Sequence, residues 1–205
     1  MAAKKIYIVR HGQTKYNKEG VVQGRGIDAS LDDIGRAQAK KFYNYYKDVP
    51  FQRIMISKLK RTYESVGDFI DLGIPYQRYE GLDEISWGLH EGAKASESRN
   101  EYFKKVTHAW RNGDVHIKIE GGESPEDVAL RQNKVIDEFR KMPEDLILVC
   151  MHGRAIRILL CNLLNIPLSE MDNYGHYNLG LYIVSYENNE FKILESNSDK
   201  HLNGV

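Results

Sequence analysis

Four junctions in the chain carry residues suited to work on an anion. Arg10-His11-Gly12 follows the apolar run Ile6-Tyr7-Ile8-Val9, and His152-Gly153 follows Val149-Cys150-Met151. Ser57-Lys58-Leu59-Lys60-Arg61-Thr62 begins where another apolar run stops, and Leu82-Asp83-Glu84 closes a fourth predicted strand. Arginine offers a planar fork of donors that matches an oxyanion. An imidazole is nucleophilic near neutral pH, and a carboxyl group can both give and accept a proton. Two histidines, two arginines and a glutamate could therefore bind an oxyanion, attack it and move a proton. Each alone is a weak signal, and a histidine after a strand is more often a satisfied loop residue; the weight lies in their common address.

That address has meaning if the apolar runs are parallel strands of an open sheet, where ligands bind beyond the carboxyl ends. The pattern along the chain supports this. A polar loop over residues 15–30 holds Asn17, Gln23, Gly24 and Arg25, and Asp32 can cap a helix running to about residue 47. Its predicted buried face is Ile34, Ala37, Gln38, Lys41, Phe42, Tyr45 and Val49. A strand is expected over 52–57, a helix over 60–72 stopped at Gly73, and a strand over 76–82. Residues 86–122 are less regular, with one amphipathic helix at about 98–111. Pro125 behind Ser124 opens a helix to about 141, followed by a strand at 145–151 and a helix at 154–164. Asn188-Asn189 predicts a hairpin joining strands at 179–186 and 190–194. The expected fold is α/β: a three-layer α/β/α sandwich with a mostly parallel central sheet and an antiparallel edge strand. One domain over 1–205, with a small roof segment at about 86–122, accommodates all of it.

Composition narrows the function. Lysine plus arginine and aspartate plus glutamate number 29 each among 205 residues, so no global field draws in nucleic acid or an anionic membrane. The Lys58-Lys60-Arg61 cluster therefore reads as the rim of an anion pocket. Cys150 and Cys161 sit in apolar segments without disulfide or metal spacing, as reduced core thiols of a cytoplasmic protein do. The residues preceding the first strand lead into an apolar run too short for a signal peptide or a membrane span. The seven histidines contain no i, i+4 pair and no His-x-His, so no metal site is expected. A Gly-x-Ser-x-Gly elbow is also missing. Tyr43-Asn44-Tyr45-Tyr46 reads as a core face with hydroxyls reaching solvent.

The motifs resemble those of a known family. Arg10-His11-Gly12-Gln13-Thr14 with Asn17, Ser57-x-Leu59-x-Arg61-Thr62, Leu82-x-Glu84-Ile85-x-x-Gly88-x-x-Glu91-Gly92, Gly122-Glu123-Ser124 and His152-Gly153 together resemble the histidine phosphatase, or phosphoglycerate mutase-like, family. The resemblance spans nearly the whole chain in order. It implies a phosphohistidine intermediate on His11, with Glu84 as general acid and base and no metal or organic cofactor. It further implies that Arg10, Arg61, His152, Asn17, Gln23, Gly24 and Gly153 bind the phosphate.

The interval from Glu84 to His152 is short, and Val22-Gln23-Gly24-Arg25-Gly26 lacks the tryptophan of the mutases. Both features resemble the phosphatase branch, with a mutase or a phosphoprotein phosphatase as alternatives. The implied partner is a small phosphoester such as a sugar phosphate, a phosphoglycerate or α-ribazole phosphate. Nucleic acid and membrane are not expected, and a homodimer is left open. Arg154, after His152-Gly153, reads either as the contact to a second anionic group of the substrate or as a salt-bridge residue. Trp87, Tyr102, His108 and Trp110 would either line an aromatic roof or pack into the core, and His176 lies near the expected rim. Residues 197–202 resemble a tail found in some relatives.

Overall fold

The computed structural model describes residues 3–93 and 96–203. Six strands form one sheet: β1 (Lys4–Arg10), β2 (Arg53–Ile56), β3 (Tyr76–Arg78), β4 (Leu146–Met151), β5 (Leu181–Glu187) and β6 (Glu190–Ser198). Their order is β3-β2-β4-β1-β5-β6. The first four are mutually parallel, while β5 runs antiparallel to β1 and β6 antiparallel to β5. The antiparallel edge is thus two strands wide. Asn188 and Asn189, at φ 52° and 65°, supply the doubly left-handed turn that a two-residue hairpin needs.

Alternation along the central strands assigns side chains to two apolar layers. Ile6, Ile8, Met55, Ile147, Val149 and Met151 face α5 (Pro125–Lys141) and α6 (Gly153–Leu164). Val9, Ile54, Ile56, Leu148 and Cys150 face α2 (Asp33–Tyr46) and α3 (Lys60–Ile70). This is the expected α/β/α sandwich. A third apolar cluster joins Trp87, α4 (Glu97–Arg111) and Met171 to α5 and α6. Trp87 and Trp110 are buried there, which settles them as core residues, whereas Tyr102 and His108 are exposed.

Caps account for the helix starts. The Asp32 carboxylate accepts from Gly35 N–H at 2.8 Å, and Ser124 and Asp127 cap each other reciprocally ahead of α5. Three expectations are corrected. Strand β3 covers only three residues, because residues 80–82 turn into a single 3-10 turn. On α2, Tyr46 and not Tyr45 faces inward (8% against 56% exposed), and Ile34 lies outside. The inward side chain sits one helical turn after buried Phe42, at i+4. Finally, the polar loop contains a one-turn helix, α1 (Lys15–Lys18), capped by Thr14 and Asn17.

Candidate active site

The register decides where the histidines go. Arg10 is paired with Met151 across β1 and β4, so His11 and His152 leave the sheet side by side at its carboxyl edge. Their rings lie 5.1 Å apart, centre to centre, tilted by 56°. The start of α3 brings Arg61 to the same edge, and the turn after β3 brings Glu84. All four side chains are buried: His11 2%, Glu84 7%, and Arg61 and His152 0% exposed.

His11 is fixed through its own backbone. Its N–H donates to the Met151 carbonyl at 3.0 Å, and its carbonyl accepts from Asn178 Nδ2 at 3.0 Å. The Nδ1 atom lies 2.7 Å from the Gly12 carbonyl. A carbonyl only accepts, so Nδ1 carries the proton and Nε2 holds a lone pair. Gly12 N–H donates to Ser65 Oγ at 2.9 Å, which ties this loop to α3. Burial, followed by the charges of Arg61 and Arg10, holds the His11 imidazolium well below its ordinary range; the Gly12 bond only partly opposes this.

His152 is held between Arg61 and Ser57. Arg61 Nε donates to His152 Nδ1 at 3.2 Å, and His152 Nε2 meets Ser57 Oγ at 2.8 Å. The guanidinium of Arg61 also donates to the carbonyls of Ile27 (2.6 Å) and Gly24 (3.2 Å). Arg10 Nη1 donates to the carbonyl of His176 at 3.0 Å and faces its Nδ1 at 3.3 Å. Among the described residues neither Arg10 nor Arg61 has a carboxylate within salt-bridge distance, and the buried Nε of Arg10 has no partner. Burial pushes both guanidiniums down to about 10, with Glu84 opposing, so both stay charged at neutral pH. The edge therefore carries unneutralised positive charge at its centre, which is what an anion site requires.

Glu84 caps α6 from outside the helix. His152 stands at the N-cap position but makes no side-chain cap. Instead the Glu84 carboxylate accepts from Ala155 N–H at 2.9 Å and Arg154 N–H at 3.2 Å, as well as from Ile85 N–H at 3.0 Å. A carboxylate that terminates a helix and borders two arginines is well located to exchange a proton at the anion.

The other expected residues fall around this centre. Asn17 Oδ1 accepts from Thr14 N–H, Thr14 Oγ1 and Asn178 Nδ2, and Gln23 Nε2 donates to Thr14 Oγ1 at 3.2 Å. Gly24 has no room for a side chain: a Cβ there would stand 2.7 Å from the Ile85 carbonyl oxygen. Gly153 opens α6, and a Cβ on it would lie 3.0 Å from the His176 ring. Arg154 is in a salt bridge: its Nη1 lies 2.6 Å from Asp172 Oδ1, and its guanidinium stacks over Trp87 and Trp110. Arg111 and Arg157 converge on the same carboxylate. Burial opposes ionisation of Asp172, but Arg154, Arg111 and Arg157 hold it down at about 2.

Sequence reasoning missed Asn178 and the depth of His176 in the site. It also passed over Glu91, whose carboxylate joins Gly26 N–H (2.9 Å) to Trp87 N–H (2.9 Å) and so links the loop holding Gly24 to the roof segment. Only Glu91 stands in one of the motifs; nothing local marks Asn178, whose partner His11 lies 167 positions away along the chain. No group of three or more His, Cys, Asp or Glu side chains is arranged to hold a metal ion among the described residues. No helix among them is long and apolar enough to cross a membrane.

Residues 6–199 match the family model of the histidine phosphatase superfamily, branch 1. The chain belongs to that family. It is 26% identical over 200 residues to phosphoserine phosphatase 1 of Hydrogenobacter thermophilus, covering 97% of this chain and 94% of that one. It is 30% identical over 157 residues to fructose-2,6-bisphosphatase TIGAR B of Danio rerio, covering 74% and 57%. The fold superimposes on a mycobacterial glucosyl-3-phosphoglycerate phosphatase with a TM-score of 0.82 at 24% identity, over 96% of this chain and 100% of that one.

Proposed function

We propose that this histidine phosphatase hydrolyses small phosphate monoesters through a covalent phosphohistidine on His11. The observation that carries the reading is the His11 ring: Nδ1 is committed to the Gly12 carbonyl, which leaves the Nε2 lone pair beside two guanidiniums that lack carboxylate partners. A phosphate dianion enters against Arg10 and Arg61. Nε2 attacks phosphorus, the bond to the leaving oxygen breaks, and the carboxyl form of Glu84 gives that oxygen a proton. Water then gives a proton to the Glu84 carboxylate and attacks phosphorus, and the P–N bond breaks to release inorganic phosphate. His152 keeps Arg61 aimed, while the amides of Asn17 and Gln23 and the backbone at Gly24 and Gly153 complete the pocket. No metal or organic cofactor takes part.

The substrate class is a phosphorylated metabolite of the sugar phosphate, phosphoglycerate or α-ribazole phosphate type. Two observations favour members with a second anionic group. Three arginines share the single carboxylate of Asp172 close to Glu84, which leaves local positive charge in excess. The relatives are named for phosphoserine, fructose 2,6-bisphosphate and glucosyl-3-phosphoglycerate, and each of these carries such a group. The short interval between Glu84 and His152 supports water as the acceptor.

The test is hydrolysis of a phosphoester panel in the presence of a chelator, with rapid-quench trapping of acid-labile phosphoenzyme. Wild type is expected to trap label and turn over without metal. His11→Ala is expected to trap none and to lose about a thousandfold or more in kcat/KM. Full activity in His11→Ala, or complete dependence on added divalent metal, would overturn the mechanism.

A further inference from the structure

The Glu84 carboxylate is held at one end by the α6 amides, which raises the question of what holds its backbone. Residues 79–86 are not a strand, so their carbonyls find no sheet partner and must be satisfied elsewhere. One side chain supplies most of this. Arg131 of α5 donates through Nη1 to the carbonyls of Glu80 (3.0 Å) and Gly81 (3.1 Å), and through Nη2 to those of Asp83 (2.9 Å) and Glu84 (3.0 Å). Its Nε and Nη2 also donate to the Glu123 carboxylate at 2.9 and 3.2 Å. Glu123 in turn accepts from Ser86 N–H at 2.9 Å. The segment is therefore gripped on both sides of Glu84, by Arg131 up to residue 84 and by Glu123 at residue 86. It presses so close to α5 that a Cβ on Gly81 would stand 2.8 Å from the Arg131 carbonyl oxygen.

We infer that Arg131, braced by Glu123, is a positioning residue for Glu84: the clamp sets where the carboxyl group meets the leaving oxygen. The inference rests on the acid role proposed for Glu84. A planar guanidinium with five N–H groups reaches four carbonyls and a carboxylate at once, whereas a lysine ammonium is a single point with three donors. Arg131→Lys keeps the charge and loses the shape of the clamp. Displacing an acid by about 1 Å costs on the order of a hundredfold when proton transfer limits the rate. It costs little when the leaving group departs as a stable anion.

The discriminating measurement is rapid-quench phosphoenzyme formation with β-glycerol phosphate, which needs an acid, and p-nitrophenyl phosphate, which does not. Wild type, Glu84→Gln, Arg131→Lys and Glu123→Gln are compared, with near-UV circular dichroism to establish native packing. The expectation for natively packed Arg131→Lys and Glu123→Gln is a loss of about tenfold or more on the alkyl ester and less than about threefold on the aryl ester. Glu84→Gln is expected to show the same selectivity, more strongly. Equal losses on both esters, or no loss, in a natively packed clamp variant would sink the inference while leaving the acid assignment standing. If Arg131→Lys is not natively packed, Glu123→Gln decides alone. Absence of leaving-group selectivity in Glu84→Gln itself would overturn the acid role, and the clamp with it.

Discussion

Three histidines that the fold keeps from protonating meet at this site. Burial together with the arginines depresses His11 and His152 well below the ordinary range, and burial, Arg10 and Arg157 bring His176 to about 3. Unfolded, each would protonate near pH 6.5; folded, each stays neutral far below that. The unfolded chain therefore binds more protons, and stability present above about pH 6.5 is lost as pH falls toward the folded values. For His176 the loss between about pH 7.5 and 5.5 is roughly 1 kcal/mol. Urea unfolding at the two pH values should show the wild type losing stability on acidification, and His176→Asn losing less by about that amount. A variant as pH-sensitive as wild type would contradict it. At this scale the reactive types and their strand-end addresses were legible in the sequence. The bonds that set their states were not, because the Gly12 carbonyl, Asn178 and the Ser57 hydroxyl are chosen by side-chain direction and by contacts across the sheet.

Between elements, the loop that carries His11 is seated by two glycines. A Cβ on Gly12 would lie 2.7 Å from the Gly35 carbonyl oxygen, and one on Gly35 would lie 2.1 Å from the Gln13 carbonyl oxygen. Both obstacles are backbone, so neither can rotate away. Gly35→Ala should destabilise the protein by about 2 kcal/mol or more, and it should lower kcat/KM because the displaced loop carries His11, the proposed nucleophile. Urea midpoints and hydrolysis rates check both, and an active variant of wild-type stability would refute the close approach. Helix starts at Asp32 and Ser124 could be read directly, since a cap is local and its residue types are few. The length of β3 and the inward face of the tyrosine run could not. Both depend on packing: residues 80–84 turn away from β2 onto α5, and Tyr46 is selected by its neighbours Phe42, Tyr7 and His201.

Across the whole molecule, the two thiols report on how the sandwich opens. Cys150 and Cys161 are both 0% exposed, burial raises the Cys150 thiol, and burial followed by Glu170 pushes Cys161 up to about 11. A water-soluble disulfide reagent at mildly alkaline pH should leave the native protein unmodified and label both thiols only at the rate of unfolding. Fast labelling of native protein would show that the layers open locally. The layering itself followed from the alternation of strand and helix and from the two apolar runs before the histidines. The order of strands explains something else. β1 is central, yet its partners arrive late: Lys5 lies opposite Leu146, and Lys4 opposite Tyr186. During synthesis the segment bearing His11 emerges well before these partners and stays unpaired until they follow. Its folding is dominated by contacts of long sequence separation and is correspondingly slow. A nascent chain that stops before Asn178 lacks both the β5 partner of β1 and the amide that donates to the His11 carbonyl, so the proposed chemistry needs nearly the whole sheet.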